Sequence, residues 1–207
     1  MKIISKAEDE NRKIIYKKFY KQLDEIRELK QNIAEYNDVI CKVGEMLKAS
    51  DVSVYSICED KNGNKAFVCI QDIRKIQYNY DTCKSWMEGN INIFIVSSLT
   101  LPSAGKNYTS MPFLEAEFLD DSVYINELHC DCCKSLYENK GYGTMLIKTV
   151  VNLAKYYNCK KICGTLSRED AKTEQKKEKR NRFYQKRGFE LKFDDDKQES
   201  GSICLNL

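Results

Sequence analysis

Residues 138–144 read Glu138-Asn139-Lys140-Gly141-Tyr142-Gly143-Thr144, and this stretch with its two glycines decides the fold. It follows a segment of alternating apolar residues, Val123–His129, which predicts a β-strand. It precedes residues 144–157, whose apolar positions recur with the period of a helix. Glycines let the backbone approach an anion, and the free N–H groups at a helix start point at that anion. The order strand, glycine loop, helix therefore predicts a phosphate-binding site, to which Lys140 adds a cation.

Two common phosphate-binding motifs do not fit this loop. The dinucleotide-binding fingerprint requires a third glycine three residues after Gly143, where the chain has Leu146. The P-loop pattern GxxxxGK[ST] is also not matched. The loop instead resembles the pyrophosphate-binding motif of the GNAT acetyltransferases, Q/R-x-x-G-x-G/A, with Glu138 where that family usually has Gln or Arg. Because family members bind the phosphates largely through backbone N–H groups, we expect Glu138 to weaken binding rather than abolish it.

A second stretch, residues 181–191, resembles the other signature of this family, N-x-x-(F/Y)-Y-x-x-x-G-F, in a form that lacks one spacer residue. Gly188 suits the left-handed position that ends a helix, and an apolar strand is predicted to begin at Phe189. Between the two motifs, Lys161–Leu166 reads as a buried strand parallel to Val123–His129, and the helix between them is the crossover.

The resemblance implies an α+β fold of three layers. Its centre is a mixed, mostly antiparallel sheet with one parallel pair splayed at the cofactor site, and helices flank the sheet. We predict a helical segment over residues 1–50, packed on or appended to an acetyltransferase domain over residues 51–207. Within that domain, residues 113–207 form the core that binds coenzyme A.

The N-terminal segment reads as helix over residues 7–49, and its apolar residues recur every 3.5 positions on average, the spacing of a coiled-coil seam. Gln22 is the one polar break in this stripe. Packing of the helix on its own domain, as one helix or as two broken near Asn32 or Asn37, is the favoured interpretation. A helix that forms a homodimer is the alternative. The stripe beyond Phe19 comprises Ile26, Leu29, Ile33, Tyr36, Ile40, Val43 and Leu47.

The middle of the chain reads as strands and loops. The Asn-Gly pair at residues 62–63 predicts a hairpin between Val52–Cys58 and Lys65–Ile70, and residues 120–122 predict a second hairpin. Residues 77–89 are predicted as helix or loop, and Ile91–Ser98 as a strand. The Ser/Gly/Asn-rich loop at residues 103–110 is a candidate substrate loop.

The resemblance also implies the chemistry, in which an amine attacks the thioester of acetyl-CoA directly. Tyr184 matches the family's tyrosine that protonates the departing thiolate of coenzyme A. Glu127 or His129 is the candidate general base, because strand alternation places both on one face of the strand, opposite Leu128. Histidine exchanges protons readily near neutral pH. The residues predicted to contact the cofactor are Leu128, His129, Cys130, Glu138, Asn139, Lys140, Gly141, Tyr142, Gly143, Thr144, Asn181 and Tyr184.

Four roles in this site rest on alternatives or on several candidates. A backbone N–H within Leu128–Cys130 is expected to polarise the thioester carbonyl. Asn181 either contacts the cofactor, holds a loop or caps a helix. Tyr184 is weighed against an ordinary core aromatic, and Lys179, Arg180 and Arg182 are candidates for the 3′-phosphate of coenzyme A.

Composition excludes several classes of partner. The 207 residues carry a formal net charge of only +3, so we expect no nucleic-acid partner. No apolar run approaches the roughly 20 residues needed to cross a bilayer, and no signal peptide opens the chain, so we expect a cytoplasmic protein with no membrane partner.

The ten cysteines are expected to be reduced core residues. The cluster at residues 129–133 suits zinc poorly, because Cys159 and Cys163 are too widely spaced to complete a site, so no metal is predicted.

Two alternatives remain beside the acetyltransferase prediction. Glu138 and a long turn before the loop favour a GNAT-fold module that binds coenzyme A or a protein without catalysis. A coiled-coil scaffold with an incidental glycine loop is the other. The acceptor amine, whether a small molecule or a peptide, is not encoded in any motif of the chain.

Overall fold

The computed structural model describes residues 6–49, 52–71, 76–79, 84–87, 89–97, 111–130 and 139–207. Within these ranges the chain forms three α-helices, one short 3-10 helix and ten strands. The helices are α1 Lys6–Ala49, α2 Tyr142–Tyr156 and α3 Glu174–Gln185, and the 3-10 helix is Arg168–Ala171. The strands are β1 Val52–Glu59, β2 Lys65–Gln71, β3 Ile76–Asn79, β4 Lys84–Met87, β5 Gly89–Ser97, β6 Phe113–Leu119, β7 Ser122–His129, β8 Lys161–Leu166, β9 Glu190–Phe193 and β10 Gly201–Asn206.

Eight of the strands form one sheet in the order β1-β2-β5-β6-β7-β8-β10-β9, while β3 and β4 pair separately. These eight strands form seven adjacent pairs. The β7–β8 pair is parallel, and the other six pairs are antiparallel. The parallel pair requires a crossover, and α2 supplies it. The predicted α+β fold, with its mixed and mostly antiparallel sheet, is confirmed.

The predicted strands and hairpins are found, with one exception. Both hairpins form, and β6 and β8 have the predicted bounds. The prediction of helix or loop over residues 77–89 is wrong, because this segment contains β4 and most of β3. Its aromatic residues, Tyr78 and Trp86 among them, favour strands, and pairing of β3 with β4 gives each strand the partner that a lone segment lacks.

One face of the sheet packs against α2 and the end of α3 and forms the main core. Strand alternation directs every second residue of β2, β5, β6, β7 and β8 to this side, and α2 contributes one apolar face. Fully buried members of this core include Ile91, Ile93, Ile95, Leu114, Phe118, Leu146, Ile162 and Ile203.

On the opposite face, the C-terminal end of α1 packs against part of the sheet. Val39 and Val43 are each 4% exposed and pack in a second core with residues of β1, β2 and β5 such as Phe67 and Phe94. The helix is continuous, so the alternative of a break near Asn32 or Asn37 is wrong. At about 1.5 Å per residue, 44 residues extend about 66 Å. Seven spacings of about 4.8 Å make the eight-stranded sheet only about 34 Å wide, so α1 is much longer than the sheet is wide.

Among the described residues, no helix is both long enough and apolar enough to cross a membrane. The described cysteines are free thiols, and Cys69 and Cys159 are buried as small apolar residues, as predicted.

Candidate functional site

Strands β7 and β8 separate part-way along their length and open a cleft. Their parallel pairing runs from Ser122 opposite Lys161 to Ile125 opposite Gly164, where it ends. Beyond this point β7 continues beside β6 as far as His129, while β8 continues beside β10. Residues 126–129 of β7 and 165–166 of β8 therefore lie beyond the parallel pairing, where the two strands diverge. Backbone groups of β7 that point away from β6 face this opening.

A bulge in β7 lies where the cleft begins. Glu115 of β6 pairs with Glu127 and Ala116 pairs with Ile125, so Asn126 is an extra residue in β7. A bulge bends its strand and increases the local twist. Where the pairing ends, a Cβ added to Gly164 would lie 3.1 Å from the Ile125 carbonyl oxygen, so a larger residue would force β7 and β8 slightly apart. Sequence analysis missed both residues, although a glycine inside a predicted buried strand was a signal.

Glu127 and His129 lie on one face of β7, as predicted. They pair with Glu115 and Phe113 of β6, whereas Leu128 pairs with Leu114 and packs against the main core. The Glu127 carboxylate is 3.9 Å from His129 Nδ1, and the two side chains are 54% and 44% exposed. This accessible carboxylate–imidazole pair lies beside the opening, on the face of the sheet away from α2.

The glycine loop leads directly into the first turn of α2. Asn139 (φ 61°) and Gly141 (φ 90°) both have left-handed backbone, and Gly141 is the N-cap residue. No side chain caps this helix and no acidic residue lies in its first turn. The first N–H groups of a helix have no partner within the helix, and the dipole makes this end positive. The N-terminus of α2 therefore presents a positive helix end and backbone donors.

The loop is held in place by a buried polar network. The Tyr142 side chain is 1% exposed, and its hydroxyl lies 3.2 Å from Ser97 Oγ and donates to Asp60 Oδ2 at 3.5 Å. Burial would raise the pKa of the Asp60 carboxyl, but hydrogen bonds from Asn64 and Asn62 and the charge of Lys140 bring it below its ordinary value. Because the Tyr142 ring points into the core, only its backbone can contact a ligand at the loop.

Gly143 is required by packing rather than by its backbone angles. A Cβ at this position would lie 3.0 Å from Phe183 Cε2 and 3.2 Å from Cys130 Sγ. Gly143 therefore brings α2, α3 and the end of β7 together. The space directly beside it is occupied by Phe183 and Cys130, which differs from the sequence interpretation of an open approach for the anion.

Arg187 is a cation at this junction that sequence analysis missed. Its guanidinium lies 3.5 Å from the centroid of the Phe183 ring and donates to the Phe183 carbonyl and to Thr144 Oγ1. Its buried Nε has no hydrogen-bond partner among the described residues. Burial lowers the pKa of Arg187, an effect that Cys130 and Tyr184 oppose. Such an unsatisfied donor beside the first turn of α2 is suited to an anionic ligand.

These features together (a parallel pair splayed at a bulge, and a glycine loop on the crossover helix) decide the architecture. The architecture is consistent with the GNAT fold that the sequence resemblance predicts. No family model matches the sequence, and no curated protein matches it. The fold therefore rests on strand order and site geometry.

Solved structures that resemble this GNAT fold are distant in sequence. The PaiA N-acetyltransferase of Thermoplasma acidophilum, in complex with coenzyme A, is 13% identical with a TM-score of 0.41, over 57% of this chain and 62% of that one. A GNAT-family acetyltransferase of Staphylococcus aureus is 15% identical with a TM-score of 0.41, over 58% and 69%. The GNAT domain of S. lividans PAT is 8% identical with a TM-score of 0.45, over 73% and 96%. The chain thus spans less than two thirds of the Thermoplasma protein.

Tyr184, near the end of α3, is partly buried against the main core. Its ring makes edge contacts with Phe183 and Phe189, with centroids 5.1 and 5.6 Å away. Burial raises the pKa of its phenol to about 12, and Asp170 and the Cys130 thiol act in the same direction. The phenol is therefore protonated at neutral pH and able to donate a proton.

The other residues of the second motif organise the loop between β9 and β10. Arg180 is 8% exposed and donates to the carbonyl oxygens of Ser167, Gln198 and Glu199 at 2.7–2.9 Å. These bonds tie Arg180 to the protein, so it is not an available ligand for the 3′-phosphate. Asn181 accepts from Arg180 Nε, and the N-cap of α3 is Thr173, so the capping alternative for Asn181 is wrong.

Some predicted site residues cannot be placed. Glu138 lies outside the described residues, as do Cys132 and Cys133, and the substrate loop at residues 103–110 does too. Among the described residues, no group of three or more His, Cys, Asp or Glu side chains is arranged to hold a metal ion.

Proposed function

We propose that this protein is an acetyl-CoA-dependent N-acetyltransferase. The observation that carries the proposal is the cleft between β7 and β8, which opens at the Asn126 bulge beside the uncapped N-terminus of α2. In this arrangement, the edge of β7 that β8 leaves would hydrogen-bond the extended arm that carries the thioester. The N-terminus of α2 would bind the phosphates of the same cofactor. The acceptor is an amine, of a small molecule or of a peptide, that reaches the cleft from the side of Glu127.

The pyrophosphate of coenzyme A would be bound by a cation and N–H donors at α2, and its thioester-bearing arm by backbone groups of β7. We assign the pyrophosphate to the first turn of α2, where the N–H of Gly143 and the guanidinium of Arg187 supply donors. Backbone groups of Leu128 and His129 that point away from β6 would hydrogen-bond the arm and polarise the thioester carbonyl. Thr144, which already accepts from Arg187, would position that guanidinium.

Acetyl transfer makes one C–N bond and breaks one C–S bond. The amine must lose a proton and the departing thiolate must gain one, so the site needs a base and an acid. We assign the base to Glu127, whose exposed carboxylate lies next to the bulge, with His129 as its partner 3.9 Å away. We assign the acid to Tyr184, whose phenol carries its proton at neutral pH and could donate it to the departing sulfur.

Isothermal titration with two thioesters tests the proposal. Acetyl-CoA should bind at micromolar concentration, whereas S-acetyl-N-acetylcysteamine, which has the thioester without the phosphates, should give no measurable heat. A panel of amines then tests turnover through release of free coenzyme A. Lack of binding by acetyl-CoA at two temperatures would contradict the proposal.

A non-catalytic module is the second candidate, and the side chains of Phe183 and Cys130 beside Gly143 favour it because they narrow the site. Tight binding of acetyl-CoA without turnover on any amine would support that function instead.

A further inference from the structure

The N-terminal part of α1 carries an apolar stripe that is exposed among the described residues. Ile15, Phe19, Ile26, Leu29 and Ile33 are between 47% and 64% exposed. Burial begins only near the other end of the helix, at Val39 and Val43. Soluble monomers rarely expose so continuous an apolar surface, and an isolated helical segment is only marginally stable in water.

The spacing of this stripe is that of a heptad repeat. With Phe19, Ile26 and Ile33 at position a, the residues Ile15, Gln22 and Leu29 fall at position d. Isoleucine at a with leucine at d is the combination that favours two parallel strands. The stripe from Ile15 to Ile33 is about 27 Å long.

We propose that a second copy of this chain covers the stripe, in a parallel, in-register two-stranded coiled coil. Charge supports this occupant and this orientation. In a parallel pair, position g of one helix faces position e of the next heptad of the other. Glu25 is at g and Lys30 is at e, so the two symmetry-related contacts are both attractive. The Glu25 carboxylate is exposed, and its Oε1 lies 3.8 Å from Lys21 Nζ on the same helix.

Gln22 discriminates between the two orientations. In the parallel arrangement the two copies of Gln22 share one layer, and each side-chain amide can donate to the other. An antiparallel arrangement that matches the same apolar layers would place Gln22 against Ile26 and leave a buried amide unpaired. It would also place Glu25 near the other copy's Glu25, which is repulsive. Both effects favour the parallel dimer.

Sedimentation equilibrium of the full chain tests the interface. Wild type should be a dimer at micromolar concentration, and Ile26→Glu should be a monomer because it puts a charge in the seam of each helix. Gln31→Glu, on the opposite side of the helix, is the matched control and should remain dimeric. Since Ile26 is exposed in the single chain, the domain beyond α1 should stay folded in both variants, and only Ile26→Glu should lose helical circular dichroism signal from its unpartnered helix.

Cysteine cross-linking tests the orientation. Gln22→Cys should form an intermolecular disulfide under mild oxidation, beyond any background from the native thiols of wild type, whereas Asp24→Cys on the outer face should not. Glu25→Lys should weaken the dimer, and addition of Lys30→Glu should restore it. A monomeric wild type at tens of micromolar, a dimer that survives Ile26→Glu, or absence of the Gln22→Cys cross-link would each overturn the proposal.

Discussion

The guanidinium of Arg187 stacks 3.5 Å from the centroid of the Phe183 ring and reaches across to Thr144 at the start of α2. This contact links the end of α3 to the helix N-terminus that is suited to an anion. It also orients a cation whose buried Nε has no partner among the described residues. The geometry explains why the proposed cofactor site depends on two segments that are distant in sequence.

Arg187→Met should weaken acetyl-CoA binding by about 10- to 100-fold, because a charge-assisted hydrogen bond contributes about 1.5–3 kcal/mol. Methionine keeps an apolar contact with Phe183, so the fold should persist. The measurement is isothermal titration, with Lys155→Met at the far end of α2 as the matched loss of charge. Equal affinities of the two variants for acetyl-CoA would show that Arg187 does not bind the cofactor.

Tyr184→Phe should lower kcat by about 100-fold, within the usual range for loss of a positioned proton donor. The ring contacts with Phe183 and Phe189 are retained, so acetyl-CoA affinity and the free energy of unfolding should change little. Steady-state kinetics measures the effect, with Tyr156→Phe as the control because Tyr156 is 73% exposed. An unchanged kcat would show that Tyr184 is an ordinary core aromatic and not the proton donor.

Glu127→Gln should lower kcat by about 100-fold, because the amide cannot accept the proton of the attacking ammonium. Glu115 lies directly opposite on β6, one strand further from the cleft, so Glu115→Gln is the matched control and should retain activity. His129→Gln should have a smaller effect than Glu127→Gln. The reverse order would identify His129 as the base.

Gly143→Ala should destabilise the protein by about 1–3 kcal/mol, since the new methyl group would meet Phe183 at 3.0 Å and Cys130 at 3.2 Å. Denaturant unfolding measures the change. Phe183→Leu should recover part of the loss, because it makes room for that methyl group. Gly44→Ala in α1, where no atom lies within 4 Å of the added Cβ, should not destabilise.

Stability should fall as the pH rises above about 9, and Cys69 is one cause. Burial raises the pKa of this thiol from 9.0 to about 12, so the unfolded chain releases its proton at a lower pH than the folded protein. The stabilisation is complete below the unfolded pKa and is lost as the pH rises toward 12. Urea unfolding at neutral pH and at about pH 10 should show a smaller decline for Cys69→Ala than for wild type.

The sequence alone predicted much of the fold. Alternating apolar residues identified β6, β7 and β8, and Gly188, whose φ is 84°, was correctly placed at the end of α3. The parallel pairing followed from the crossover helix, because a strand, a helix and a second buried strand have few other arrangements. Segments without clear periodicity were harder, and β3 and β4 were missed because each depends on the other for its hydrogen bonds.

The glycine loop, the anion-binding helix start and the shared face of Glu127 and His129 were determined by the sequence, because they follow from backbone preferences and strand alternation within short segments. Only the tertiary structure decided that Asn126 bulges, that Arg187 reaches Thr144, and that Arg180 is tied to carbonyl oxygens instead of facing a ligand. These features depend on which side chains meet across β6, α2 and the β9–β10 turn. Such contacts are set by packing between segments that no local pattern connects.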